Sequence, residues 1–288
     1  MTLTFPPAAR PSPRADARQS MNNPETPVIT RARIAADLEK LGLQRGGLAL
    51  VHSSLKSLGR VDGGPETVID ALLDVLGPEG LLVFPSFQKG GEHKLLREGV
   101  VFDVRSTPTG QGFLPETFRQ RPCVIRSLSP THCLAACGPG AEEFLAGHEK
   151  CTVSVGHGTP FDKFVERGGK ILLLGVTHAC NTMLHYVENT GGAPTVSREL
   201  FTPTVIDAAG QTHTVPTYPH MPGLRRNYER VEPELMAAGA QINGMVGQAV
   251  ARLVDARAMA QHLGAKLCAD PLYLIDVFNP APTPPVAG

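Results

Sequence analysis

Net charge, a membrane-length apolar run and any internal repeat are all missing from this 288-residue chain. Its 27 basic and 27 acidic residues cancel, which removes the usual electrostatic sign of a nucleic-acid or acidic-membrane partner. No apolar stretch approaches the roughly 20 residues needed to span a bilayer. Nothing recurs at the roughly 20–50-residue periods of solenoids and propellers. The six cysteines are scattered without a paired framework, which suits a reducing cytoplasm better than a disulfide scaffold. His132, Cys133, Cys137, His148 and Cys151 raise a zinc reading. Only Cys133 and Cys137 form a close pair, whereas zinc ligands arrive as two tight pairs, so no metal is assigned.

What remains is an ordinary globular composition, 42% hydrophobic and 19% charged, long enough for one large domain. Residues 1–27 are rich in Pro, Arg and polar side chains, with no helical period and no apolar core for a signal peptide. They read as a disordered leader, with Met21 as an alternative start. Residues 279–288, "NPAPTPPVAG", read as a disordered tail. No composition shift marks a linker between them, so residues 28–278 form one expected domain.

Within it, strand-like and helix-like segments alternate. Thr30 can cap "RARIAADLEKLGL", "GLALVHSS" reads as a buried strand, and "PETVIDALLDVLG" as a helix opened by Pro65 and closed by Gly77. "GLLVFPSF", "CLAACG" and "KILLLGV" are further strands. "LPETFRQR", "AEEFLAGH" and the segment after Thr159-Pro160 are short helices. The alternation implies an α/β fold around a largely parallel sheet. "FTPTVIDAAGQTHTVPTY" breaks the rhythm as a β-hairpin near residues 201–218, so the sheet is expected to be mixed. A mostly helical C-terminal region follows, with Asp255 as a cap.

Three stretches could carry chemistry. In "LLLGVTHACNTMLHYVEN", a buried strand leads into Thr182, His185 and Glu188 at a spacing of three, which places them on one helix face. Met183, Leu184 and Val187 then point to the core. Glu188, one turn on, could orient the His185 imidazole and raise its basicity. The bland alternative is a polar surface. "VHSSLKSLGRVDGGPETV" puts polar residues after a strand and Gly63-Gly64 before a helix, where backbone N–H groups attract anions and Lys56 and Arg60 add charge. It is neither a GxGxxG fingerprint nor a Walker A loop. "FDVRSTPTGQGFLPETFR" carries Asp103, Arg105 and Glu116, which either line a cleft or sit in solvent.

Taken in order, "VHSSLKSLGRVDGG", "GLLVFPSF", "FDVRSTPTGQGFLPETFR", "RSLSPTHCLAACG", "GGKILLLGV", "NTMLHYVE" and "INGMVGQAVARLVDARAM" resemble the aminoglycoside 3-N-acetyltransferases, the antibiotic N-acetyltransferase family. The likeness covers about residues 30–276. It implies a three-layer α/β/α sandwich, acetyl-coenzyme A as donor and an amine, by family an aminoglycoside, as acceptor. It maps the coenzyme site onto His52, Ser53, Ser54, Leu55, Lys56, Val61, Asp62, Gly63 and Gly64. The family's essential His and Glu fall on His185 and Glu188, and Asp103, Glu116 and Glu188 become acceptor-binding candidates. Two positions depart from the pattern: Ser129-Pro130 replaces the usual His-Pro, and Cys133 a usual Ser.

The expected function is acetyl-coenzyme A-dependent N-acetylation of an aminoglycoside at its 3-amine, conferring antibiotic resistance in the cytoplasm. His185 is the base, Glu188 its orienting partner and Thr182 a stabiliser of the tetrahedral intermediate. Partners are a small-molecule amine and, optionally, a second copy in a homodimer; nucleic acid and membrane are excluded. The alternatives are a same-fold transferase for another amine metabolite, a serine hydrolase that lacks a GxSxG elbow, and a silent coenzyme A-binding protein.

Overall fold

The computed structural model describes residues 27–279. The expected leader and tail therefore lie outside the described residues, apart from their innermost positions.

Among the described residues, twelve strands run β1 (Leu48–Ser53), β2 (Leu81–Pro85), β3 (Val101–Asp103), β4 (Ile125–Arg126), β5 (Leu134–Cys137), β6 (Lys170–Leu174), β7 (Thr204–Ile206), β8 (Thr212–Thr214), β9 (Arg225–Arg226), β10 (Gln241–Val246), β11 (Ala249–Asp255) and β12 (Ile275–Val277). Seven form the main sheet in the order β10-β11-β6-β1-β2-β5-β4. Its centre, β6-β1-β2, is parallel. Both flanks reverse direction, with β11 antiparallel to β6 and β5 antiparallel to β2. The sheet is thus mixed, and its parallel part is confined to the centre.

Period-two alternation sends successive side chains to opposite faces. Leu50, Val83, Ile171 and Leu173 join one core with helices α5 (Ala141–Leu145), α6 (Pro160–Glu166), α7 (Met183–Thr190), α8 (Val231–Ala237) and α9 (Ala256–Ala269). Ala49, Val51, Leu82, Phe84, Leu172 and Leu174 join the other with α1 (Arg31–Leu41), α2 (Gly64–Leu76) and α4 (Phe113–Arg119). That is the α/β/α sandwich. Each buried Leu, Ile or Val contributes about 1.5–3 kcal/mol. The expected caps form: Thr30 Oγ1 accepts from Arg33 N at 3.3 Å, and Asp255 Oδ1 from Ala258 N at 2.9 Å. The remaining α-helix among the described residues, α3 (Glu92–Arg97), lies between β2 and β3.

The hairpin is β7–β8, turning through Gly210 at φ 83°. It adds to β3 as a separate three-stranded sheet over a small core of Phe102, Val205, Val215 and Cys133. Two expectations are corrected. The C-terminal region is not mostly helical, because residues 241–255 form the β10–β11 hairpin, whose turn Gly247 permits at φ 58°. Nor are all the cysteines free. Pairing of Ile125 with Ala136 brings Cys123 and Cys137 to a Cα separation of 5.5 Å, and they form a disulfide.

Candidate active site

Open α/β sheets bind ligands beyond the carboxyl ends of their parallel strands. Here a pocket of about 320 Å³ opens at the ends of β1, β2 and β6, lined by His52 and Ser53, Pro85 and Phe87, Val176, Thr182, His185 and Tyr228. Gly175, at φ 70°, turns the chain out of β6. A single 3-10 turn, His178–Cys180, then leads into α7. Asn181 Oδ1 accepts from Met183 N at 3.1 Å and so caps the helix, leaving Thr182 without a capping bond. Met183, Leu184 and Val187 are buried in the core, which fixes the opposite orientation for His185.

Glu188 is fully buried. Its Oε2 lies 3.1 Å from His185 Nδ1, and both its oxygens lie 3.0 Å from Arg226 Nε. A buried carboxylate paired in this way remains ionised: burial works against it, but the His185 hydrogen bond and the charge and hydrogen bonds of Arg226 outweigh burial and lower its pKa. A carboxylate can only accept, so His185 Nδ1 carries hydrogen and Nε2 keeps its lone pair. Tyr228 Oη lies 3.0 Å from the same Nδ1. Burial, then the nearby Glu188 charge, raises its phenol pKa well above the ordinary value. Burial, then the neighbouring His220, pushes His185 down to about 3. The ring is therefore in its proton-accepting form throughout the neutral range.

The other expected site residues divide into three groups. His52 and Ser53 face the pocket, and His52 Nε2 and Ser53 Oγ are buried with no hydrogen-bond partner. Burial pushes His52 down to about 4, so it is neutral. Ser54, Leu55, Lys56, Val61, Asp62, Gly63 and Gly64 are not among the residues lining that pocket. They carry the chain from β1 to α2, with Gly63 and Gly64 both left-handed at φ 70° and 63°. Asp103 and Glu116 also lie off the pocket lining. Asp103 accepts from Arg105 N and its guanidinium. Glu116 is held by Arg119 and accepts from Thr109 N at 2.8 Å, bracing the loop that puts Gln111 into the pocket.

Sequence reasoning did not find Arg226, Tyr228, His220 or Glu92. Glu92 Oε2 accepts from His220 Nδ1 at 2.7 Å and from His220 N at 2.8 Å. The His220 ring lies against His185, with centroids 4.2 Å apart. A second cavity of about 660 Å³ opens there, lined by Glu92, Lys94, Arg97, Glu98 and His220. His132 and His185 border both cavities. The residues of the zinc reading do not converge. Cys137 is in the disulfide, the Cys133 thiol lies 3.4 Å from Leu134 O, and His148 bonds Ser127 Oγ and Ser154 O. Ser129, at the unusual position, is buried and accepts from His132 N at 3.2 Å. No helix among the described residues is long and apolar enough to cross a membrane.

Residues 50–267 match the family model for aminoglycoside 3-N-acetyltransferase. Aminoglycoside N(3)-acetyltransferase VII of Streptomyces paromomycinus is 30% identical over 254 residues, covering 80% of this chain and 88% of that protein. Aminoglycoside N(3)-acetyltransferase III of Salmonella sp. is 36% identical over 178 residues, 57% of this chain, and the match spans only 62% of that protein's length. Among solved structures, AAC-IIIb in a binary complex with CoASH superposes with a TM-score of 0.74 at 30% identity, over 84% of this chain and 97% of the other. A mutant of aminoglycoside acetyltransferase AAC(3)-IVa in complex with gentamicin gives 0.75 at 29% identity, over 89% and 93%. The ordered motifs, the sandwich and these matches agree: the chain belongs to the aminoglycoside 3-N-acetyltransferase family.

Proposed function

We propose that this protein transfers the acetyl group of acetyl-coenzyme A to an amine of an aminoglycoside, at the 3-amine by family membership, and so confers resistance in the cytoplasm, where that donor is made. One observation carries the reading: His185 is locked by a buried, arginine-paired Glu188 and stands where two cavities meet. A donor in the smaller cavity and an acceptor in the larger would meet at its free nitrogen. The coenzyme-bound and gentamicin-bound neighbours support coenzyme A and an aminoglycoside as the pair of ligands. The unpartnered His52 Nε2 and Ser53 Oγ supply polar contacts for the donor.

As the amine nitrogen attacks the thioester carbonyl, its proton passes to His185 Nε2. Glu188 holds the Nδ1 proton and stabilises the imidazolium that forms. Thr182, on the pocket wall with its hydroxyl unused in capping, stabilises the oxyanion. The carbon–sulfur bond then breaks and coenzyme A leaves.

Thiol release from acetyl-coenzyme A, measured with an aminoglycoside panel, with simple metabolite amines and with an ester alone, tests this reading. Aminoglycoside-dependent release is expected. Release only with metabolite amines would move the substrate class, and ester turnover alone would replace transfer by hydrolysis.

A further inference from the structure

Tyr228 enters the site together with Arg226, and the backbone between them accounts for the pairing. β9 runs antiparallel to β12, with Arg226 opposite Ile275, and Asn227 continues extended at φ −121° and ψ 77°. Residues i and i+2 of an extended segment project to the same side, and the residue between them to the other. Asn227 turns toward the C-terminal strand, where its Nδ2 donates to Asp276 Oδ1 at 3.2 Å and its backbone N to Leu274 O at 2.9 Å. Arg226 and Tyr228 turn the other way, toward α7. One extended step thus delivers the guanidinium to Glu188 and the phenol to His185.

At His185 the Nδ1 hydrogen meets two acceptors, Glu188 Oε2 at 3.1 Å and Tyr228 Oη at 3.0 Å. The carboxylate can only accept, so Nδ1 carries the hydrogen and the phenol oxygen accepts from it as well. Tyr228 is buried and un-ionised, because burial and then the Glu188 charge hold its pKa well above the ordinary value. Its ring stands at 79° to the imidazole with centroids 5.5 Å apart, while His220 lies 4.2 Å from the same imidazole. Held by Glu188 alone, the imidazole could swing about a single Nδ1···Oε2 contact. A second acceptor and an edge-on phenol remove that freedom and fix the direction of Nε2.

We infer that Tyr228 is a positioning residue for the acetyl transfer, acting through His185: its hydroxyl shares the Nδ1 hydrogen with Glu188 and aims Nε2 at the amine. This rests on the proposed acetyl transfer. The shared bond also strengthens during the reaction. When the amine proton reaches Nε2, the ring becomes a cation and its Nδ1–H a charged donor, and charge-assisted hydrogen bonds are about twice as strong as neutral ones. That gain arises only after the substrates are bound, so it belongs to kcat and not to substrate affinity.

The test measures kcat and both KM values for wild type, Tyr228→Phe, His185→Ala and the double variant, with coenzyme A affinity from calorimetry. Tyr228→Phe keeps the ring and removes only the hydroxyl. Raising one hydrogen bond from neutral to charge-assisted strength is worth about 5–20-fold in rate. The kcat of Tyr228→Phe should fall by that factor, with both KM values and the coenzyme A affinity unchanged. In the His185→Ala background the same substitution should alter the residual rate by less than about twofold, because no imidazole remains to be aimed. Nitrogen NMR of histidine-labelled protein should place the His185 hydrogen on Nδ1, with its proton signal moved in Tyr228→Phe. A folded Tyr228→Phe with kcat within about twofold of wild type overturns the proposal. So does an equal loss in both backgrounds, which would make the hydroxyl act independently of His185, or a change confined to KM, which would make it a substrate contact. A wild-type His185 with its hydrogen on Nε2 overturns it without any variant. A wild type inert toward every amine would overturn the acetyl-transfer reading itself, and this inference with it.

Discussion

Replacing Arg226 with Met removes the guanidinium from Glu188 and little else of the local shape. Arg226 Nε supplies two of the three side-chain contacts that hold this carboxylate, both at 3.0 Å, and Glu188 has no exposed surface. Breaking a buried pair by deleting one partner costs about 3–5 kcal/mol, because the other charge is left uncompensated. At roughly 2–4 °C per kcal/mol for a chain of this size, the melting temperature should fall by about 6–20 °C. Adding Glu188→Gln removes the stranded charge, so the double variant should recover about 1–3 kcal/mol relative to Arg226→Met. The defect should also depend on pH. Without Arg226, burial raises the folded-state pKa of Glu188 above its unfolded value, so the penalty is greatest at neutral pH and shrinks as pH falls into the carboxylate range. Urea unfolding of wild type, both single variants and the double variant at neutral and mildly acidic pH measures this. A cost within about 0.5 kcal/mol for Arg226→Met, with additive behaviour in the double variant, would refute the ion triad as the support of His185.

Two further outcomes follow from buried polar groups. Ser53→Ala removes a hydroxyl that has no partner in the free protein, so stability should hardly change. Coenzyme A affinity should fall by the worth of one hydrogen bond, about 0.5–1.5 kcal/mol or up to roughly tenfold; unchanged affinity by calorimetry would move the donor off β1. His52 and His148 are buried and pushed down to about 4, in both cases chiefly by burial. A depressed histidine favours the folded state fully above its unfolded pKa of about 6.5, and each could lose up to about 3 kcal/mol as pH falls toward 4. Urea midpoints across that window should decline, and His148→Gln should flatten the decline; equal slopes in the two proteins would contradict it.

The sandwich was legible because its strands are short apolar runs set between amphipathic helices, and because Thr30, Pro65, Gly77 and Asp255 mark helix ends. The Thr182–His185–Glu188 spacing was legible for the same local reason, since three residues make nearly one turn. What gives that face its chemistry was not. Arg226 lies 38 residues from Glu188, Tyr228 lies 43 from His185, and Glu92 lies 128 from His220. Each arrives by tertiary folding, with no sequence spacing to announce it. Asp103 and Glu116 looked free in the sequence, yet each meets an arginine two or three residues on. In residues 241–255, β10 does not alternate buried and exposed residues as a half-buried strand would, and only the Gly-Gln turn hints at a hairpin.

The most direct measurement is the mass and substitution position of an aminoglycoside incubated with acetyl-coenzyme A and either wild type or His185→Ala. Wild type should add one acetyl group at the 3-amine. Folded His185→Ala should retain coenzyme A binding yet form that product about 10²–10⁴-fold more slowly, a barrier increase of ~3–5 kcal/mol. An unmodified aminoglycoside after incubation with wild type, or near-normal product formation by His185→Ala, would contradict the claim.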